Sequence, residues 1–163
     1  MTGRGTIGLA VTFAVLATYL ALTRQPAAPR EEEAPVATLL SAPIDSISRV
    51  DVGPDLIAVR RGREWSVPPV EDLLAALATL RPISVVDDAP SDPSVYGLGA
   101  DAPRLRVLSG TRAVLDLELG APNPAGTGLY VRHAGQPRVL LVGSLLRWEL
   151  EKVRRVASTT AAP

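Results

Sequence analysis

The sequence predicts an α+β domain of mostly antiparallel strands with two amphipathic helices, preceded by one N-terminal transmembrane helix. Three observations predict it. Short stretches that alternate polar and apolar residues follow one another across turns rich in Gly and Pro. The connections between them are too short for parallel crossovers, which take a dozen or more residues, so neighbours must run antiparallel. Finally, Gly5 to Thr23 holds no charged residue and has about the length a helix needs to cross a bilayer core.

That apolar segment comes first in the chain. Residues 1–4 form a short flank carrying Arg4, and Arg24 and Arg30 follow the segment ahead of Glu31, Glu32 and Glu33. The positive-inside rule counts Lys and Arg and gives acids little weight, so charge barely separates the flanks. The layout decides more. A tiny N-terminal flank and a whole domain on the other side fit a signal anchor with its N-terminus in the cytoplasm. The domain is then expected outside the cytoplasmic (inner) membrane, in a single-pass, periplasmic arrangement. A cleaved secretory signal competes with this reading and needs a small-x-small site. Tyr19-Leu20-Ala21 puts a bulky residue at the first small position, and Pro26-Ala27-Ala28 puts a proline there. A buried soluble helix would need a polar face, and the segment has none.

Residues 24–43 read as a linker, because prolines at 26, 29, 35 and 43 and the Glu31–Glu33 run favour an extended, solvated chain. The folded domain is expected over 44–156. Arg49 to Val52, Leu56 to Arg61 and Glu64 to Val67 predict a three-strand meander around Gly53-Pro54 and Arg61-Gly62-Arg63. Val70, Leu73, Leu74, Leu77 and Leu80 share one face of a helix that Pro69 opens and Arg81-Pro82 stops, with Glu71 and Asp72 at the positive end of its dipole. Ile83 to Val86 is a fourth strand and Asp87 to Asp101 a loop. Leu105 to Leu108 and Ala113 to Leu119 alternate around a turn at Gly110. Gly120 to Gly128 is a loop, and Leu129 to His133 and Arg138 to Val142 form a last hairpin. Ser144 can cap a final helix to about Arg155, with Leu146, Leu150 and Val153 as its stripe and Glu151–Arg155 as an i,i+4 pair. Residues 157–163 read as a disordered tail. Arg60 to Leu80 and Arg132 to Val156 share one order of elements, which allows two related halves.

Composition excludes several classes. The chain of 163 residues carries 17 basic and 17 acidic groups, and a nucleic-acid binder would show a basic excess, so no nucleic acid is expected. Without cysteine there is no disulfide framework, thiolate metal site or thiol nucleophile. With few aromatics, the core must be built from Leu, Val, Ile and Ala, and Trp65, alternating with Val67, is expected inside it.

One set of segments resembles a known bacterial family. Trp65-Ser66-Val67-Pro68-Pro69 runs into the helix ending at Leu77; Tyr96-Gly97-Leu98 precedes Ala102-Pro103; Leu119-Gly120 and Tyr130-Val131-Arg132 follow. This pattern resembles the domain of unknown function 4340 over roughly Ile44 to Val156. The resemblance implies one N-terminal membrane helix and an accessory role beside transporter or gliding-type membrane components. It implies no catalytic residues. Gly97 is expected at positive φ, so that Tyr96 and Leu98 both turn inward.

No catalytic, cofactor-binding or metal-binding residue is predicted. His133 is the only histidine and sits in a predicted strand, with no carboxylate at fixed spacing to complete a zinc site. Asp87, Asp88 and Asp92 lack the alternation and closing glutamate of a calcium loop and read as turn residues. Gly126-Thr127-Gly128 leads into a strand, so it offers no helix N-terminus to a phosphate. No Gly-x-Ser-x-Gly elbow occurs. The expectation is therefore a non-enzymatic, membrane-anchored interaction or accessory domain of a bacterial envelope complex. Its partners would be the membrane, through the N-terminal helix, and other envelope or ABC-type transporter proteins. A domain that binds a small ligand or an envelope polymer is the alternative, and it would need a concave pocket with convergent polar groups.

Overall fold

Period-two alternation gives each strand one apolar face, and burying that face requires something to cover it. The computed structural model, which describes residues 38–160, shows what does. Eight strands form one sheet in the order β3-β2-β1-β5-β6-β7-β8-β4, every neighbouring pair antiparallel. They are β1 (Arg49–Val52), β2 (Leu56–Arg61), β3 (Glu64–Trp65), β4 (Ser84–Asp87), β5 (Arg104–Ser109), β6 (Arg112–Pro122), β7 (Gly128–His133) and β8 (Val139–Gly143). Two helices, α1 (Val70–Thr79) and α2 (Leu145–Thr160), complete the domain.

The inward residues of the strands, among them Val50, Ala58, Val107, Leu117, Val131 and Val142, share one buried cluster with Leu73, Leu74 and Leu77 of α1 and Leu146, Leu150 and Val153 of α2. The helices therefore lie on one sheet face. Truncating any one of these leucines to alanine would cost about 2–5 kcal/mol. Trp65 joins this cluster, and the Arg60 guanidinium stands 6.0 Å from its ring centre. Arg60 also donates to the carbonyls of Ile44 and Asp45, tying the short 3₁₀ turn Ile44–Ser46 to β2.

Chain order and sheet order part company at α1. The β1–β2–β3 meander ends at one edge of the sheet, α1 follows, and β4 is laid against β8 at the opposite edge. The chain then returns to the middle, where β5 pairs with β1. A meander followed by a helix thus occurs twice, as β1–β3 with α1 and β5–β8 with α2, in line with the order of elements read from the sequence.

The structure departs from expectation at several points. Leu39 and Leu40, assigned to the linker by their proline-rich surroundings, are buried, and their amides donate to the carbonyls of Leu80 and Leu77 at the end of α1. A helix end leaves carbonyls without partners, and this segment satisfies two of them. Helix α2 runs to Thr160, since Ala157 still packs on the core. Glu151 pairs with Arg147 at 3.5 Å, one turn before it, in place of Arg155. The expected membrane helix over Gly5 to Thr23 lies outside the described residues. No helix among the described residues is long and apolar enough to cross a membrane.

Candidate functional site

An antiparallel sheet covered on one side presents its other side to solvent or to a partner. Here the uncovered face carries charge in alternating sign. Asp51 on β1 stands opposite Arg106 on β5, which stands opposite Asp116 on β6; Arg104 stands opposite Glu118, which stands opposite Arg132 on β7. Arg106 donates to Asp116 at 2.9 Å and Arg49 to Asp51 at 2.6 Å. Opposite charges on facing strand positions stabilise the pairing modestly, and like charges there would oppose it.

Glu118 is the centre of this ladder and the one charged residue buried among those described, at 5% exposure. Its Oε1 accepts from Arg104 at 3.2 Å, and its Oε2 accepts two bonds from Arg132, at 3.0 and 2.5 Å. A buried carboxylate needs such compensation, and a guanidinium fork supplies it with fixed geometry. The two partners differ. The Arg104 side chain is 51% exposed and that of Arg132 only 17%. The signal for this cluster was present in the sequence as charges two apart in successive strands, Arg104 and Arg106 facing Asp116 and Glu118. Reading it required the strand register.

Three of the segments that carried the family resemblance, Tyr96-Gly97-Leu98, Leu119-Gly120 and Tyr130-Val131-Arg132, meet along β6 and β7, while Trp65 to Leu77 lies on the helix side. The loop before β5 lies across β6, with the 3₁₀ turn Pro93–Tyr96 in it. Gly97 has φ +69°, and a Cβ there would come within 2.6 Å of the Ala121 backbone nitrogen. A Cβ on Gly120 would come within 2.3 Å of the Tyr96 carbonyl oxygen. Only a side-chain-free position lets two backbones approach so closely. The Tyr96 ring meets Tyr130 of β7 edge to face, with centroids 5.1 Å apart. Its hydroxyl donates to Asp87 of β4 at 3.3 Å. Burial, and then the Asp87 carboxylate, push the Tyr96 phenol above its ordinary value. These motif residues therefore fasten a loop over the sheet between β4 and β6.

The other residues weighed from the sequence fall as follows. His133 ends β7 opposite Leu117, half-buried, and burial holds its imidazole below the ordinary 6.5. Asp88 pairs with Arg138 at 2.7 Å. Asp92 accepts from the Ser94 hydroxyl and amide, which lower its carboxyl and open the 3₁₀ turn. Asp87, Asp88 and Asp92 are thus each engaged in turn or strand contacts. Thr127 and Gly128 connect β6 to β7 through Asn123, whose side chain bonds to both. Among the described residues no group of three or more His, Asp or Glu is placed to hold a metal ion.

A surface cleft of about 750 Å³ lies at the end of the β1–β2 hairpin, between Gly53–Leu56, Ala100–Arg104 and the last turns of α2. Asp51, Asp55 and Asp101 balance Arg104, Arg106 and Arg154 along it. Three of these six, Asp51, Arg104 and Arg106, are already committed to ion pairs. At the far edge of the sheet β4 has no outer neighbour among the described residues, and Val85 and Val86 are exposed there.

These features define a two-layer α+β domain, with helices on one sheet face and a charge ladder on the other. Its surface offers an unpaired strand edge. The chain belongs to the family described as Domain of unknown function (DUF4340), whose model matches residues 68–155. No curated protein and no solved structure matches it.

Proposed function

We propose that this chain is a non-enzymatic, membrane-anchored interaction domain, held outside the cytoplasmic membrane as an accessory part of a bacterial envelope complex of the transporter or gliding type. The β4 edge carries the reading. Among the described residues no strand pairs with its outer side, and Val85 and Val86 add apolar contact area there. Such an edge is a template for an added strand from another protein. The apolar, charge-free stretch Ile7 to Leu22 supports the anchor. A small-ligand or polymer-binding role draws support from the cleft beside the β1–β2 hairpin, but half of the cleft's charges serve the ladder instead.

The chain has no cysteine, so single thiols report position without background. Thr2→Cys and Thr127→Cys are treated in whole cells with a small membrane-impermeant maleimide. Thr127 is exposed. The expected result is labelling at Thr127→Cys alone, with full-length protein retained in membranes after a high-salt wash. Labelling at Thr2→Cys alone would put the domain in the cytoplasm, and a shortened soluble product would show a cleaved signal. A photo-crosslinking residue at Val86 should give a discrete protein adduct that Arg112, at the β5–β6 turn, does not give. Equal adducts at both positions would remove the edge from the argument.

A further inference from the structure

We propose that the domain has a second membrane contact of its own: the first turn of α2 rests on the bilayer, with Trp148 seated at the lipid–water interface. The inference rests on the anchor reading above and adds a surface to it. Trp148 is 64% exposed, in a chain whose other tryptophan is buried. Leu145, one helical turn before it, is 48% exposed, and Ile83 is 61% exposed.

These residues stand where the chain joins the domain. Leu39 and Leu40 bond to Leu80 and Leu77 at the end of α1. Leu80 in turn reaches to 3.7 Å from the position of a Cβ on Gly143, immediately before α2, and the Ile83 amide donates to the Leu141 carbonyl. The Trp148 amide closes the first turn of α2 onto the Ser144 carbonyl. The stretch from Arg24 to Ala37 separates the apolar segment from Thr38. A chain of that length reaches at most about 50 Å. A tether so short keeps this end of the domain near the bilayer at high effective concentration, so weak surface contacts suffice to seat it.

The chemistry favours lipid as the occupant. Tryptophan and short aliphatic side chains suit the headgroup boundary, where an indole has an apolar body and one polar N–H. Arg81 lies between Leu80 and Ile83, exposed and without an ion-pair partner among the described residues, and is available to anionic headgroups. Of the carboxylates in the adjoining turns, Glu151 pairs with Arg147, and Glu149 lies 3.7 Å from Lys152, whose ammonium bonds to Asp72.

The two tryptophans make the test direct. The full chain is reconstituted in vesicles of phosphatidylethanolamine and phosphatidylglycerol, with plain or brominated acyl chains. Bromine quenches an indole only at close range. Wild-type emission should fall by roughly a third to a half in brominated vesicles, because one tryptophan of two lies at the interface. Trp148→Phe should abolish that loss and Trp65→Phe should retain it. The comparison of wild type with Trp148→Phe stands even if Trp65→Phe does not fold. A chain that floats with the vesicles, resists high salt and shows no bromine quenching would overturn the contact while leaving the anchor intact. A chain that does not float would overturn the anchor and the contact with it. Trp148 shielded from acrylamide in native membranes but unquenched in pure lipid would overturn the proposal in favour of a protein partner.

Discussion

Three glycines separate two effects that mutational data usually merge, the strain of a left-handed backbone and the lack of room for a side chain. Gly126 has φ +69° and open space around its missing Cβ. Gly97 has the same φ but faces the Ala121 backbone nitrogen at 2.6 Å. Gly120 has no positive φ but faces the Tyr96 carbonyl oxygen at 2.3 Å. Alanine at Gly126 should therefore cost only backbone strain, about 1–2 kcal/mol. At Gly97 the same strain is joined by overpacking of about 1–3 kcal/mol, toward the upper end because the obstacle is backbone rather than a flexible side-chain tip. The sum is about 3–5 kcal/mol. Gly120→Ala should show the steric part alone, about 2–3 kcal/mol. The assay is urea denaturation of the fragment from Ala34 to Pro163, read as midpoints at constant slope. Gly97→Ala and Gly120→Ala should also couple, since both push the same loop from β6, and the double variant should cost less than the sum. Equal, small losses at Gly97 and Gly126 would refute the reasoning, because the loop would then not be fastened where the motif residues place it.

Two further outcomes follow from the charge ladder and the single histidine. Arg132→Ala should cost about 2–3 kcal/mol, because it leaves the buried Glu118 carboxylate with only the half-exposed Arg104, whereas Arg104→Ala should cost under about 1 kcal/mol; equal losses in denaturation would show that burial does not distinguish the partners. His133 is held below its ordinary 6.5 by burial, so the unfolded chain binds the proton more readily. Its contribution to stability is therefore present above about 6.5 and is lost as pH falls through the lowered folded value. The difference in midpoint between wild type and His133→Gln should change across that window and be flat above it, and an imidazole NMR titration at or above 6.5 would contradict the reading.

The sequence by itself determined the elements and the sides they face. Apolar residues two apart in Leu105 to Val107 and Leu115 to Leu119, and at helical spacing in Val70 to Leu77, are local patterns, and local patterns report which face is buried whatever covers it. The positive φ at Gly97 and the burial of Trp65 were legible for the same reason. The apolar length of Gly5 to Thr23, which raised the expectation of an anchor, is equally local. Only the tertiary structure decided which strands are neighbours. No local signal sends β4 past the meander to pair with β8, or sets β5 beside β1. Those pairings join residues far apart in the chain, and their free energy comes from closing a shared core. The ladder around Glu118 depends on that register, since a one-residue slip would turn every charge to the other face. The capture of Leu39 and Leu40 is likewise tertiary. Their proline-rich flank reads as linker, and only the unsatisfied carbonyls at the end of α1, brought within reach by the fold, make them part of the core.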